Sequence, residues 1–399
     1  MVNYDLKHIY DEDGRKEVSR WIKDYSRKDP LRVLNLPNAT ILPKKKSDKE
    51  HPDTWMGFGG VVDSDNEFVP LSGIKHVTKD TYVFGGKYEY DIESVDLIDE
   101  EVVYIGPMFN HWGHFMYDFI TRLWYCLESS DCRIAYCGWG FDEGELYGSY
   151  RRFFELLNID LSRLIDIRKP TKFANVIIPE QSYLRNQYVT GEYLKILNKA
   201  CSNVSIDGLT PYKKIYFSRD NFIRRSAWYR EYGEKVLQET FKKNGFVIMD
   251  PAKLSLDEQI YYMHNCDQFA VIASSTGADT AFMKEGAERI YIKKGFYMDP
   301  DLSQLDFATN AKNVAVVDCW FHPFKSYKAS HSSGPHMLGA TRLFMDYLNE
   351  HNYETLSSGT YGIYKIKVYL WFLIVIIRYA IFKVLYPVYF NTFRKIIRR

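Results

Sequence analysis

Along the second half of the chain, short apolar runs alternate with segments whose apolar positions recur every three or four residues. Residues 214–220, 246–250, 268–275, 288–295 and 313–320 read as buried strands. Between them, 230–244, 255–266 and 276–286 read as helices, the first closed by Gly245. Ser255 followed by Glu258 predicts a capping box at the start of the middle one. Five strands with intervening helices describe a doubly wound parallel sheet. Residues 100–180 carry a weaker version of the same alternation. It predicts strands at 101–107, 132–139 and 174–179 and helices at 111–128 and 144–159. The first hundred residues look like short strands and turns, with Gly59–Gly60 and Gly85–Gly86 as bulges or turns rather than phosphate loops.

This pattern divides the 399 residues into a first unit at 1–205, a second unit at 206–345 and a tail at 346–399. The expected fold class is α/β, with two Rossmann-like halves and an apolar helical tail. Composition is ordinary for a globular chain, 46% hydrophobic and 26% charged. Aromatics reach 16%, which suits either a Tyr-rich core or a sugar-binding cleft. The net charge of +1 hides an asymmetry. Residues Thr355 to Arg399 hold eight Lys/Arg and no Asp or Glu, leaving −7 on the remainder. An acidic body argues against nucleic acid, and a basic end points to an anionic surface touched by that end alone. The six cysteines show no C-x-x-C or zinc-like spacing, and Met1 leads straight into a charged stretch rather than a secretory signal. They are expected to be reduced thiols of a cytoplasmic protein.

Three constellations carry chemistry. The first follows the strand at 101–107: Asn110, His111, Trp112, His114 and Asp118. On a regular helix, His111, His114, Asp118 and Arg122 share one face. An Asp with His neighbours at a strand's carboxyl end can act as a general base toward a sugar hydroxyl. A capped structural helix and a His111–His114–Asp118 metal site are the rival readings. The second is Arg219 at a strand end, followed by Arg224 and Arg225, whose forks can each pair two phosphate oxygens. The third is the turn Ser275, Thr276, Gly277 and Ala278, where small residues and helix N–H groups favour a phosphate. The second and third together describe a pyrophosphate clamp with no metal and no cofactor.

In order along the chain, Gly59–Val62, then Asn110, His114, Phe115 and Asp118, then Ser218-Arg219, Gly245-Phe246 and Asp250-Pro251, Leu256 with Glu258-Gln259, and Gly277-Ala278 with Phe282-Met283 and Gly286 resemble family 61 glycosyltransferases. The similar stretch runs from about Val33 to Cys319. Two positions depart from that family's pattern: Thr276 stands where a His is common, and Trp228–Glu231 stands where an Asn-Glu pair is. The resemblance implies a GT-B-like arrangement, acceptor half first and donor half second. It also implies an inverting transfer from a nucleotide-sugar, expected to be a UDP-sugar, to a glycan or lipid-linked acceptor in surface-polysaccharide assembly. Asp118 is then the expected base with His114 orienting it, the roles being exchangeable. Asn110, His111 and Trp112 would meet the acceptor. Arg219, Arg224, Arg225, Glu258, Ser275, Thr276, Gly277 and Ala278 would meet the donor. A pyruvyl or phosphosugar transferase on the same sheet, or an inactive glycan-binding subunit, are the alternatives.

The tail is apolar and basic at once. Val368 to Ile377 holds ten uncharged residues, too few for an ordinary span. Over Val368–Phe390 fourteen Ile/Leu/Val/Phe offset Arg378 and Lys383 almost fully on an insertion scale. The expectation is a monotopic helix at the cytoplasmic membrane face, with a closing helix packed on the first half as the rival.

Overall fold

The computed structural model describes residues 2–48, 50–75, 78–128, 132–140, 146–219, 231–322 and 334–381. All five strands expected in the second half are present, and all pair in parallel. The order across the sheet is Val247–Met249, Lys214–Phe217, Gln268–Ile272, Glu288–Lys293, Asn313–Asp318 and, at the far edge, Asn3–Asp5. The N-terminal strand therefore crosses to the second sheet, a placement that its short polar sequence does not announce. From Lys214–Phe217 the chain steps to one side and then returns to the other. A crevice opens where the order reverses, between the carboxyl ends of Lys214–Phe217 and Gln268–Ile272.

Residues alternate across this sheet with period two. Ile215, Phe217, Phe269, Val271, Val314 and Val316 join one core with Leu256, Ile260, Leu302 and Leu305. Tyr216, Ala270, Ile272, Ile290, Ile292 and Val317 join another with Leu237, Phe241, Phe344 and Leu348. Both faces are thus covered by helices, which is why the strands read as continuous apolar runs. The helix Leu256–Asn265 carries the predicted box: Ser255 Oγ accepts from Glu258 N–H, and Glu258 Oε2 accepts from Ser255 N–H.

The first half is a mixed sheet. Leu164–Asp166, Arg133–Trp139, Asp96–Phe109 and Thr171–Pro179 run parallel, while Val33–Pro37, Thr40–Lys45 and Phe58–Val62 add antiparallel pairs. The two glycine pairs meet each other. Gly59 and Gly86 exchange backbone hydrogen bonds at 3.1 Å, both with positive φ. Val102, Val103, Phe115 and Phe153 belong to the same continuous core as one face of the second sheet, so apolar packing joins the halves. No disulfide joins the six cysteines.

Two expectations fail here for local reasons. Glu231–Tyr232 is not helical; it forms a short strand parallel to His336–Met337, and the helix begins only at Lys235. The segment after His111 is not one regular helix either. Trp112–His114 is α-helical, Phe115–Phe119 is a π turn closed by Ile120 N–H donating to Phe115 O, and Ile120–Arg122 is 3-10. These changes of pitch break the 3.6-residue period. Arg122 leaves the His114–Asp118 face and is buried completely. Its guanidinium donates to the carbonyls of Pro179 (3.0 Å), Ile105 (3.3 Å), Leu71 (2.7 Å) and Gly73 (3.2 Å). Gly106, at φ +107°, leaves room for it: a Cβ there would lie 2.9 Å from Nη1. Burial lowers the Arg122 pKa to about 10.

Arg122 satisfies carbonyls from two strands and a loop, so its loss strands several buried acceptors. Arg122→Met is expected to lower unfolding free energy by about 3–5 kcal/mol. Arg122→Lys, which keeps the charge but not the fork, should fall between. Urea denaturation measures both, and a loss below about 1 kcal/mol for Met would contradict this role.

Candidate active site

The carboxyl end of Asp96–Phe109 delivers His111 to Asp118 toward the crevice of the second sheet. His114 Nδ1 and Asp118 Oδ2 are 2.7 Å apart. Asp118 is 1% exposed, and its Oδ1 has no hydrogen-bond partner among the described residues. His114 is the more open of the two, with 16% of its side chain accessible, and it sits among the rings of Trp55, Phe109 and His111. Behind the pair stands Arg185, whose Nη1 lies 3.9 Å from Asp118 Oδ2. Its Nε donates to Asp301 at 2.9 Å, and its Nη2 forms a very short contact with the same carboxylate. Asp301 belongs to the second half, is fully buried, and also accepts from Tyr183 Oη at 3.3 Å.

Across the crevice, Arg219 leaves the strand Lys214–Phe217 and is 8% exposed. Its Nη1 donates to Thr276 Oγ1 at 2.7 Å, bridging the two strand ends. Its Nε donates to Glu231 at 3.0 Å, and Lys294 Nζ donates to the other oxygen of Glu231. Burial alone would raise the Glu231 carboxyl, but Lys294 and Arg219 hold it near 2. Glu234 accepts the Arg219 backbone N–H at 3.0 Å and Tyr216 Oη at 3.0 Å, fixing the turn. The position where the family pattern favours a His thus holds a shorter Thr276 that Arg219 reaches.

Two cavities lie between the halves and share Ser275. One, about 330 Å³, is lined by Trp55, His111, His114, Tyr117 and Arg185 from the first half and by Arg219, Ser274, Ser275, Lys294 and Asp299 from the second. The other, about 370 Å³, is lined by Trp112, Tyr147 and Tyr150 facing Pro251, Leu254, Gln259, Ser275, Thr276 and Asp279. Gly113 forms the wall between them, since a Cβ there would sit 3.3 Å from Ser275 Cβ.

The structure therefore brings together His111, Trp112, His114, Arg219, Ser275 and Thr276 around these cavities, with Asp118 directly behind His114. It does not bring in all the expected residues. Asn110 is at the rim, donating to Tyr147 Oη at 3.0 Å. Glu258 serves as the helix cap, and its neighbour Gln259 faces the cavity instead. Gly277 and Ala278 are buried, Gly277 against Leu302. Arg224 and Arg225 lie outside the described residues. Arg185, Lys294 and Asp301 were missed, because each belongs to no motif and acquires its partner only across the fold; Glu231 was noted only as part of a departure from the family pattern, and its pairing with Arg219 and Lys294 was not foreseen. Among the described residues, Asp5, His8 and Glu350 are near enough to one another to share a cation, and none of them lines either cavity.

Residues 112–290 match the family model described as Glycosyltransferase 61. These residues carry a glycosyltransferase 61 domain. The matched segment holds His114, Asp118, Arg185, Arg219, Glu231 and Thr276. No curated protein matches the chain. The matched segment leaves out Trp55, His111, Lys294 and Asp299, so part of the wall of the 330 Å³ cavity comes from outside it, whereas the residues lining the other cavity all lie within it.

The domain's first helical turn is tied to the second half by Trp112, whose Nε1 donates to Asp279 Oδ1 at 2.6 Å. Burial raises the Asp279 pKa to about 7 although this hydrogen bond lowers it. The folded protein keeps a proton that the unfolded chain releases near 4, so this group's stabilisation falls as pH rises from about 4 to about 7. Asp279→Asn retains an acceptor for Trp112 and removes the titration. The variant should gain stability relative to the parent between pH 5 and pH 8, by at most about 4 kcal/mol. Melting curves across that range test it; parallel pH profiles would count against a protonated Asp279.

Proposed function

We propose that the chain transfers a sugar, with inversion, from a nucleoside-diphosphate sugar to a hydroxyl of a glycan or lipid-linked acceptor. The glycosyltransferase 61 match supports the reaction class, and the His114–Asp118 contact carries the mechanism. With Asp118 ionised, Nδ1–H of His114 donates to it and Nε2 is left as the acceptor for a proton. His114, unlike Asp118, lines the cavity. The roles expected from sequence are thereby exchanged: His114 is the base and Asp118 orients it and stabilises the imidazolium.

The acceptor oxygen attacks the anomeric carbon as its proton passes to His114 Nε2. The bond to the diphosphate oxygen breaks, and the leaving group takes the electron pair. Arg219, Lys294 and the N–H groups at Ser275–Thr276 stand where that charge develops. Three cations (Arg185, Arg219, Lys294) face four carboxylates (Asp118, Glu231, Asp299, Asp301) around the cavity. Directed N–H donors, rather than net positive charge, are thus the basis for holding a diphosphate. Arg224 and Arg225, five and six residues after Arg219 in sequence, are candidates to add charge. No metal enters this scheme.

A nucleoside-diphosphate panel read by thermal shift in EDTA should reveal the donor, because a bound ligand stabilises the fold by mass action. Arg219→Gln should weaken that binding about tenfold or more, and Arg151→Ala, on an exposed helix face, should not. With the sugar nucleotide so identified, His114→Ala should lose on the order of 10²–10⁴ in transfer rate while still binding nucleotide. Added imidazole should restore part of the rate to His114→Ala but none to Asp118→Ala. Rescue of Asp118→Ala by formate, with none of His114→Ala by imidazole, would return the base to Asp118.

A further inference from the structure

The helix Ser358–Ala380 has two apolar faces with different partners. On one face Val368, Phe372 and Val375 are buried, Val368 and Phe372 against Met337. Trp371 stacks on Tyr232 at 4.8 Å, and Tyr364 Oη donates to Glu239 at 2.6 Å. The helix therefore docks on the second half, not on the first. On the opposite face Ile363, Ile366, Leu370, Leu373, Ile374 and Ile377 are each about half exposed or more. At 3.6 residues per turn these six fall within about 100° of the circumference, bordered along one edge by the exposed Lys367 and Arg378.

We propose that this outer face lies in the headgroup–acyl boundary of an anionic membrane, with the helix parallel to the bilayer and the second sheet held against it. Charge decides between lipid and a second copy of the chain. Pairing two such helices would bring Lys367 and Arg378 together, and from Thr355 to Arg399 there is no carboxylate to meet them. Lipid phosphates would meet them, along with the five further Lys/Arg that follow in sequence. Docking decides between lying and crossing. Contacts with the body run from Tyr361 to Phe372, about 16 Å of helix axis. A hydrocarbon core of about 30 Å could be crossed only by stripping those contacts away. An interfacial helix keeps both faces covered at once.

Flotation of the full chain with vesicles tests this. The parent should float with phosphatidylglycerol-containing vesicles and weakly with phosphatidylcholine alone. Leu370→Glu/Ile374→Glu, at two sites more than half exposed, should cut vesicle partitioning by on the order of tenfold or more with an unchanged melting temperature. A C-terminal tag should remain open to protease outside sealed vesicles. Equal flotation of parent and double variant would overturn the proposal. So would a parent that ignores vesicles and forms dimers that the double variant breaks. A protease-protected tag would overturn the in-plane geometry in favour of a span.

Discussion

The guanidinium of Arg185 is the charge on which the cleft depends. It projects from the tip of the hairpin Tyr183–Leu184/Tyr188–Val189 and stands between Asp118 and Asp301, each with almost no exposed surface. Two such carboxylates cannot both stay ionised without a cation between them. Burial disfavours the charge on Arg185, yet Asp301 and Asp118 together hold its pKa well above the ordinary value. One side chain thereby fixes two things. It draws the first half onto the helix Pro300–Ala308 of the second, and it sets a positive charge beside the Asp118 carboxylate that contacts His114. Gln304 strengthens the same junction, accepting from Asn186 N–H at 2.7 Å and donating to the carbonyls of Leu184 and Tyr188.

The other links between the halves surround the cavities rather than hinge at one edge. Trp112 meets Asp279, Arg152 forks onto Asp257 at 2.7 and 2.8 Å, and Gly113 admits Ser275. With an apolar core running continuously beneath them, the relative position of the dyad and the Arg219–Glu231–Lys294 cluster is set when the chain folds. Such preorganisation is what stabilisation of a developing diphosphate charge needs, because donors already in place cost no reorganisation at the moment of reaction.

What the sequence makes legible follows the range of the interactions. Strands buried on both faces, the Ser255–Glu258 box and the Ser275–Thr276 turn at a strand end are local, and all were readable. Both members of the dyad were readable too, since His114 and Asp118 are four residues apart. Which of the two reaches the cavity was not, because that depends on packing across the fold. The π turn was hidden because nothing in FMYDF distinguishes it from α-helix; packing of Phe115 and Phe119 and burial of Arg122 impose it. Glu231 was hidden for a similar reason. Its segment has helical periodicity, but pairing with His336–Met337 and two buried cations draw it into a strand. Arg185 and Asp301 lie over a hundred residues apart, and no local signal connects them.

The strand Glu231–Tyr232 is also where the tail meets the site. Neighbouring residues on a strand point to opposite sides. Glu231 turns inward to hold Arg219 and Lys294, and Tyr232 turns outward to stack on Trp371 of the last helix. Val368 of that helix packs so closely on the next residue, Gly233, that a Cβ there would lie 2.6 Å away. The helix and the cations Arg219 and Lys294 are therefore separated by the thickness of a single strand. On the proposed interfacial placement, such a helix is apolar on its inner face to dock and apolar on its outer face to meet lipid. That requirement accounts for a tail whose hydropathy rises without resolving into one amphipathic stripe. It also places the cleft beside whatever surface the helix occupies, which fits the proposal of an acceptor anchored in a bilayer.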